Sequence, residues 1–286
     1  MSIEHQTIDF VKMQGAGNDY VYINCMEKMI PSPEAFAIRV SDRHYGIGSD
    51  GLILVAPSSV ADCRMIMFNL DGSEGKMCGN GIRCVAKFMH DEIGCEKNPL
   101  TIETKSGIKT VELFISEEGI ATKARVNMGK AELYPPRIPA NLPGETVINT
   151  PIEIGGNIYN VTLVSMGNPH AVVFVDSVDS VNLEEIGPKF EHAVELFPES
   201  VNTEFVEIID GQNLRMRVWE RGSGETMACG TGTCATVVAA CENGFCKKGE
   251  DIRVIVNGGE LNINYTDDCV LMTGDCVKVF EGKLEV

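Results

Sequence analysis

The stretch Met77-Cys78-Gly79-Asn80-Gly81 and its counterpart Ala228-Cys229-Gly230-Thr231-Gly232 organise the rest of the chain. Each cysteine opens a C-G-x-G sequence, and each is followed by an apolar segment of helical length that closes on a glycine, Gly94 or Gly244. A glycine at the C′ position is a common helix ending. We therefore predict that each cysteine lies where a glycine-rich loop enters a helix.

The start of a helix is a chemically special place for a cysteine. The first turn has unpaired backbone N–H groups and a partial positive charge, which lower the pKa of a thiol. Glycines let a ligand approach these amides, so they can also bind a carboxylate. A single C-G-x-G sequence is more simply explained as a tight turn with a buried cysteine. Two copies in equivalent positions indicate two thiols that act on the two sides of one substrate.

The composition is that of a globular protein with an acidic surface. The chain has 286 residues, of which 44% are hydrophobic, and a net charge of −17 at pH 7. This length is sufficient for two domains with their own cores. The negative charge gives no electrostatic attraction to nucleic acid or to an anionic membrane, so we expect neither as a partner.

The N-terminus and the cysteines indicate a reducing compartment. Residues 1–7 have no basic start and no apolar core, so they do not form a secretory signal, and the apolar runs are too short to span a bilayer. We expect a cytoplasmic protein, in which most of the eleven cysteines are small buried hydrophobic residues. The spacings Cys78 to Cys84 and Cys229 to Cys234 match neither a zinc site nor a C-x-x-C redox motif, so we expect no metal.

The predicted elements repeat in the same order in both halves of the chain: strands, a small helix, strands, the cysteine loop, a helix and further strands. The proline-rich segment 134–144 between the halves is a candidate linker. The second cysteine helix, predicted over 233–242, is apolar nearly all round and needs to be enclosed. We predict an α/β (α+β) protein of two similar domains, each a curved, mostly antiparallel sheet wrapped around its own central helix.

Each half also contains one smaller predicted helix. Ser32-Pro33-Glu34 places proline at the first helical position and an acid in the first turn of a helix that runs to about Asp42. Asn182 is predicted to cap the second of these helices, which continues into an amphipathic run over 188–196.

Several polar residues near the two cysteine loops are candidates for a shared cleft. A lone loop histidine is more often a surface residue, yet His170 is the one of five histidines best placed to orient a thiol. Glu220-Arg221 is equally consistent with an exposed ion pair at a strand end. Gly46-Ile47-Gly48 fails the dinucleotide fingerprint, so no nucleotide is assigned. The remaining candidates are asparagines that are individually ordinary turn residues: Asn18, Asn69, Asn168 and Asn202.

The chain resembles the diaminopimelate epimerase family, whose members interconvert LL- and meso-2,6-diaminopimelate without a cofactor. The residues that carry the resemblance span nearly the whole chain in the family's order: Gly15-Ala16-Gly17-Asn18-Asp19, Asn69-Leu70-Asp71-Gly72-Ser73, Met77-Cys78-Gly79-Asn80-Gly81-Ile82-Arg83-Cys84, Met166-Gly167-Asn168-Pro169-His170, Trp219-Glu220-Arg221-Gly222-Ser223-Gly224-Glu225-Thr226 and Ala228-Cys229-Gly230-Thr231-Gly232. Some members have glutamine where this chain has Gly51, so that position is left out of the predicted site.

The resemblance implies a two-base mechanism. Two domains of like fold close on the substrate, with the active site in the cleft between them and one cysteine on each face of the α-carbon. One cysteine removes the α-proton as a thiolate and the other delivers a proton as a thiol, and the roles exchange with the direction of reaction. Neither pyridoxal phosphate nor a metal is required. The predicted domains are residues 1–130 with the C-terminal strand 276–286, and residues 131–275.

The resemblance also assigns roles residue by residue. Cys78 and Cys229 are the acid/base pair, and His170 and Glu220 orient and tune them. The substrate-binding residues are Gly79, Asn80, Gly230 and Thr231 at the α-carboxylate, and Asn18, Asn69, Asn168, Asn202 and Arg221 at the distal ammonium and carboxylate. Arg221 provides the planar fork that binds a carboxylate in a bidentate manner.

Two alternatives remain open on the sequence. A proline or hydroxyproline racemase uses the same paired cysteines, but its ring substrate has no second carboxylate for Arg221. A thiol-rich redox or metal-storage protein is favoured only by the cysteine count.

The product of the epimerase would supply lysine synthesis, cell-wall peptide or both. Homodimers are common among relatives, and the sequence itself carries no sign of one.

Overall fold

The computed structural model describes residues 7–285 of the chain. The chain divides into two compact units, unit 1 with Met1–Val126 and Gly274–Val286 and unit 2 with Asn127–Thr273. Residues 1–6 lie outside the described part. They make up most of the N-terminal segment, residues 1–7, for which we predict no secretory signal. Among residues 7–285, none of the helices combines the length and the apolar character that a membrane crossing requires.

Strands dominate both halves of the chain. The elements of the first half are β1 (Thr7–Gly15), β2 (Asn18–Asn24), α1 (Pro33–Ser41), β3 (Gly51–Ala56), β4 (Cys63–Asn69), β5 (Glu74–Gly75), α2 (Gly79–Asp91), β6 (Leu100–Thr104), β7 (Gly107–Ile115) and β8 (Ala121–Gly129). Those of the second half are β9 (Thr150–Ile154), β10 (Asn157–Ser165), β11 (Pro169–Val175), α3 (Leu183–Glu191), β12 (Asn202–Ile208), β13 (Asn213–Glu220), β14 (Gly224–Glu225), α4 (Gly230–Glu242), β15 (Asp251–Val256), β16 (Gly259–Tyr265) and β17 (Val270–Asp275). The C-terminal strand is β18 (Val277–Glu285).

The two units have the same strand topology. In unit 1, β1 pairs antiparallel with β18 and β2, β2 runs parallel to β3 across α1, and β4 runs parallel to β6 across α2. In unit 2, β10 pairs antiparallel with β9 and β11, β11 runs parallel to β12 across α3, and β13 runs parallel to β15 across α4. The parallel pairs are the ones joined by a helix, because a parallel connection needs a long crossover. The remaining hairpins are antiparallel.

Each unit encloses one of the cysteine helices. α2 packs against β1, β2, β6 and β7, and its residues from Gly79 to Met89 are all buried. α4 packs against β10, β11, β12, β13, β15 and β16 and is buried over most of its length. A helix that is apolar on all sides is stable only when protein surrounds it. The predicted fold of two similar units, each with a mostly antiparallel sheet around a central helix, is confirmed.

Some helix boundaries differ from the prediction. α4 begins at Gly230 rather than at 233, because the three residues after the N-cap Cys229 already form the first helical turn. Gly244 follows the C-cap residue Asn243 with a φ of 77°, as predicted, whereas α2 has its C-cap at Glu92 and reaches Gly94 two residues later.

The predictions for the two smaller helices are also corrected in part. α1 has Pro33 at its first position, as predicted. α3 starts after Asn182, but this side chain makes no capping hydrogen bond to the helix. The predicted amphipathic run over 188–196 is wrong, since the helix ends at Glu191. The next residue, His192, places its ring Nδ1 2.7 Å from the Pro188 carbonyl oxygen and so caps the last turn.

Candidate active site

Cys78 and Cys229 occupy the same position in the two units, immediately before the first residue of the central helix. Both have extended backbones, and both sulfur atoms act as the N-cap acceptor. The backbone N–H of Gly81 donates to the Cys78 Sγ atom at 3.2 Å, and that of Gly232 donates to the Cys229 Sγ atom at 3.4 Å. The helix amides therefore face the sulfur of each cysteine, which is an arrangement that stabilises a negative charge there.

In unit 1 a chain of polar side chains leads from the surface to the Cys78 thiol. The thiol donates to the Asn18 Oδ1 atom at 3.1 Å, and the Asn18 amide donates to Asp50 Oδ2 at 2.8 Å. Asp50 in turn forms an ion pair of 2.9 Å with Arg43. Because Asp50 accepts from the Asn18 amide nitrogen, the Asn18 oxygen is turned toward the thiol.

A buried guanidinium supports the first turn of α2. Arg83 donates to the Gly79 carbonyl at 3.2 Å, to the Asn80 Oδ1 atom at 3.0 Å and to the Asp275 carbonyl at 3.2 Å. Its side chain is fully buried, and this burial lowers the pKa of Arg83, against a smaller opposing effect of the Cys84 and Cys78 thiols. These contacts hold the backbone that presents Cys78.

In unit 2 the cysteine lies among acids. Glu220 hydrogen bonds with both the Thr226 hydroxyl and the Cys229 side chain. Burial raises the pKa of Glu220 above its ordinary value. Burial also raises the pKa of Cys229 well above that of an ordinary thiol, and the charges of Glu220 and Glu204 raise it further. Thr231 also lies beside this cysteine, with its hydroxyl 3.4 Å from the Cys229 Sγ atom.

His170 is fully buried on β11, so it is not the surface residue that a lone loop histidine usually is. Its Nδ1 atom lies 2.7 Å from Glu204 Oε1, and its Nε2 atom lies 3.2 Å from Asn168 Oδ1. The Asn168 amide donates to the Thr231 hydroxyl at 3.3 Å. These contacts connect His170 to the residue beside the Cys229 sulfur.

Asn202 and Arg221 contact each other in unit 2. The Asn202 Oδ1 atom accepts from the Arg221 backbone N–H at 2.9 Å, and the Arg221 guanidinium donates to the Glu199 carbonyl at 2.6 Å. Asn69, in unit 1, donates to the Ser73 hydroxyl at 2.9 Å within its own turn. None of the contacts described for these three side chains reaches a cysteine.

The structure thus gathers predicted residues around one cysteine in each unit, and we call these two groups the first and second half-sites. The first half-site consists of Cys78, Asn18 and the first-turn residues Gly79 and Asn80. The second half-site gathers the predicted residues Cys229, Gly230, Thr231, Asn168, His170 and Glu220. Sequence reasoning missed three charged residues that support them: Asp50, Arg83 and Glu204. Arg83 is the one charged residue in the apolar stretch 82–86, and this was a signal available in the sequence, whereas Glu204 lies in a strand with other polar residues and gives no such signal.

No group of three or more His, Cys, Asp and Glu side chains suited to hold a metal ion occurs within the described residues.

Comparison with known protein families gives a specific match. The model of the family described as diaminopimelate epimerase matches residues 10–134 and 162–279. The chain is 51% identical to a diaminopimelate epimerase of Acetivibrio thermocellus over 279 residues, which cover 97% of this chain and 98% of the relative. It is 49% identical to a diaminopimelate epimerase of Desulfovibrio desulfuricans over 282 residues, which cover 96% of this chain and 97% of the relative.

Solved structures with low sequence identity share the fold. A phenazine biosynthesis protein of the PhzF family from Bacillus anthracis has a TM-score of 0.70 at 16% identity, covering 98% of this chain and 100% of the other. A probable proline racemase from Agrobacterium radiobacter has a TM-score of 0.72 at 15% identity, covering 97% of this chain and 92% of the other. At this level of identity, the similarity describes the architecture only.

Proposed function

This chain belongs to the diaminopimelate epimerase family, and on that premise we propose that it interconverts LL- and meso-2,6-diaminopimelate by proton transfer at the α-carbon. The observation that carries the mechanism is the duplicated cysteine. Cys78 and Cys229 each cap a buried central helix with the same backbone geometry in two units of the same topology. A reaction that removes a proton from one face of a carbon and adds one to the other requires such a pair of acid/base groups.

The two thiols start the reaction in different protonation states. Because burial and two carboxylates raise the pKa of Cys229, it rests as the thiol and donates the proton. Cys78, whose thiol donates to Asn18 in the structure, first loses this proton to solvent and then acts as the thiolate that removes the α-proton, at a helix N-terminus that favours negative charge. In the reverse direction the roles exchange.

The first turns of the two helices are the proposed binding site for the α-carboxylate. The backbone amides of Gly79, Asn80, Gly230 and Thr231 belong to these turns. Donors held in place before the reaction stabilise the negative charge that builds up as the proton leaves, and the mechanism needs no step on a cofactor.

The distal end of the substrate distinguishes diaminopimelate from a ring imino acid. We assign the distal ammonium and carboxylate to Asn18, Asn69, Asn168, Asn202 and Arg221, with Arg221 as the carboxylate fork. Glu220 and His170 orient and tune the thiols. A proline racemase is the less supported alternative, because the racemases share only the fold with this chain.

Two further parts of the proposal concern the setting of the enzyme. We propose that it acts in the cytoplasm, on a small-molecule substrate that feeds lysine or peptidoglycan precursor synthesis, and that it works as the homodimer common in the family. Sedimentation of the purified protein tests the homodimer, and fractionation of cells tests the location.

Proton NMR in D₂O tests the reaction. We expect the reduced, metal-free protein to wash out the α-proton signal of LL-diaminopimelate and to leave L-proline unchanged. Cys78→Ala and Cys229→Ala should each lower the turnover number by at least about 100-fold, the usual contribution of one acid/base group. Exchange in proline alone would refute the assignment of substrate.

Matched cysteine variants provide the controls. Cys95→Ala in unit 1 and Cys269→Ala in unit 2 remove half-buried thiols that lie outside both half-sites. We expect both variants to epimerise at close to the wild-type rate. Loss of activity in these variants as well would show that thiol removal acts through folding, and would count against the roles of Cys78 and Cys229.

A further inference from the structure

A buried acid, Glu204, and a buried histidine, His170, face each other at the second half-site. β11 and β12 run parallel with His170 opposite Asn202, which places Glu204 two residues further along on the same face. Both side chains are fully buried, and the Nδ1 and Oε1 atoms are 2.7 Å apart. The Glu204 carboxylate also fills the space beside Gly232, where a Cβ atom would collide with it. Glu204 therefore contacts both His170 and the first turn of α4.

The second ring nitrogen of His170 also faces an oxygen. Nε2 lies 3.2 Å from Asn168 Oδ1, while the Asn168 amide nitrogen is directed at the Thr231 hydroxyl. An amide oxygen and an ionised carboxylate oxygen can only accept hydrogen bonds. With Glu204 ionised, this arrangement requires a hydrogen on both ring nitrogens of His170.

The first half-site has no such pair. The repeated topology places Tyr20 where unit 2 has His170, since each lies two residues after the corresponding asparagine and opens a parallel strand pair. Ile53 corresponds to Glu204, and it lies beside Gly81 as Glu204 lies beside Gly232. The charged pair is therefore a property of the Cys229 half-site and not of the fold.

The surrounding charges explain why a cation is needed there. The ionisable groups near His170 are Glu204 from β12, Glu220 at the end of β13 and Cys229 at the start of α4. Within the described chain, Glu204 Oε2 is buried and has no hydrogen-bond partner. A buried carboxylate in this state is costly unless a cation offsets its charge. The imidazolium is the only cationic group in this set.

From this geometry we infer that Glu204 is a positioning residue that holds His170 as the imidazolium. The ring then fixes Asn168 and Thr231 beside the Cys229 sulfur. Its positive charge also offsets the negative charge that Cys229 acquires when it gives up its proton. The rate effects of this inference rest on the proposed function, whereas the state of the His170 ring does not.

Nitrogen-15 NMR of the histidine side chains tests the state of the ring without substrate. At pH 7 we expect both His170 nitrogens to show the shifts of protonated ring nitrogens, because each of them faces an oxygen acceptor. The signal is assigned by its loss in His170→Asn. A single neutral tautomer at His170 at pH 7 would overturn the inference, whether or not the protein epimerises diaminopimelate.

Glu204→Gln keeps the size of the side chain and removes its charge. We expect His170 to become neutral near pH 7 and the turnover number to fall about 10- to 100-fold with a nearly unchanged KM, as for other carboxylates that orient a functional histidine. Glu207→Gln on the same strand is the control, since Glu207 accepts from the Val178 backbone N–H and not from His170. It should retain both the rate and the His170 signals.

A double-mutant cycle shows whether Glu204 acts through His170. If it does, Glu204→Gln adds no further loss to His170→Asn. Independent, additive losses, or a Glu204→Gln variant with wild-type rate and unchanged His170 signals, would overturn the inference. If Glu204→Gln does not fold, the wild-type NMR spectrum decides the question alone.

Discussion

The environments of the eleven cysteines differ more than their spacing in the sequence suggests. Burial raises the pKa of Cys63 and Cys276 to about 12 and that of Cys84 to about 11, so these thiols are inert hydrophobic residues of unit 1. Cys229 is also buried, but it lies beside carboxylates and a helix N-terminus. Cys78 is only half-buried and contacts an asparagine in place of an acid. The two capping cysteines therefore have different reactivities.

Alkylation measures this difference. With iodoacetamide at pH 8 and no substrate, we expect Cys78 to be modified at least about tenfold faster than Cys229. Only the thiolate reacts with iodoacetamide, and the raised pKa of Cys229 keeps this thiol protonated at pH 8. Glu220→Gln removes a neighbouring negative charge, lowers the pKa of Cys229 and should speed its modification. Peptide mapping by mass spectrometry follows both sites.

The control for the alkylation experiment is Glu225→Gln. Glu225 is paired with Arg217 at 2.8 Å and is not among the groups that raise the pKa of Cys229. This variant should leave the Cys229 rate unchanged. Equal rates at Cys78 and Cys229 in the wild-type protein would contradict the prediction.

At the scale of single elements, the close approach of α3 to β13 determines which residue α3 tolerates at the point of contact. α3 lies directly on Trp219 of β13, and a Cβ atom on Gly187 would overlap the indole ring. The ring cannot move aside easily, because its Nε1 atom donates to Glu191 at 2.7 Å and Trp219 packs against the core of unit 2. Gly187 is therefore required by packing, and not by a special backbone conformation.

Gly187→Ala tests this packing. Alanine favours a helix over glycine by about 1 kcal/mol, but overpacking costs about 1–3 kcal/mol, so we expect a net loss of stability. Thermal unfolding measures the loss, and the fluorescence of Trp219, the single tryptophan, reports the displaced ring. Gly211→Ala is the control, since the nearest atom to its Cβ would be the Phe245 carbonyl oxygen at 3.8 Å. Equal melting temperatures for the two variants would refute the packing argument.

At the scale of the whole molecule, the chain returns at its end to complete the unit in which it began. β18 pairs with β1 over eight residue pairs from Thr7 to Gln14. Phe280 of β18 packs edge-on against Phe10 with ring centroids 6.0 Å apart, and Lys278 forms an ion pair with Glu92 at the end of α2. β18 has the same place in unit 1 that β9 has in unit 2, where β9 pairs with β10.

Deletion of β18 should therefore damage unit 1 selectively. Removing residues 277–286 leaves the β1 edge unpaired, and we expect the amide hydrogens of β1 to exchange at least about 100-fold faster while those of β10 keep their protection. Hydrogen exchange with mass spectrometry gives both readings in one experiment. Glu281→Gln keeps the strand and serves as control. Unchanged protection in β1 after the deletion would contradict this role of β18.

The sequence alone determined the repeat, the position of each cysteine at a helix start and the family. These features depend on local patterns: a glycine that ends a helix, an apolar segment that must be enclosed, and motifs read within a few residues. The family resemblance supplied the candidate residues of both half-sites. Helix ends such as that of α3 were predicted less well, because an apolar pattern does not by itself mark the last residue of a helix.

Only the tertiary structure decided which charged groups support the cysteines. Asp50 and Asn18 are 32 residues apart, and Glu204 and His170 are 34 apart, yet each pair meets where two parallel strands run side by side. Their register cannot be read from either segment separately. The raised pKa of Cys229 likewise depends on burial, which belongs to the packed chain. Local sequence therefore places the thiols at their helices, and packing sets the charge around them.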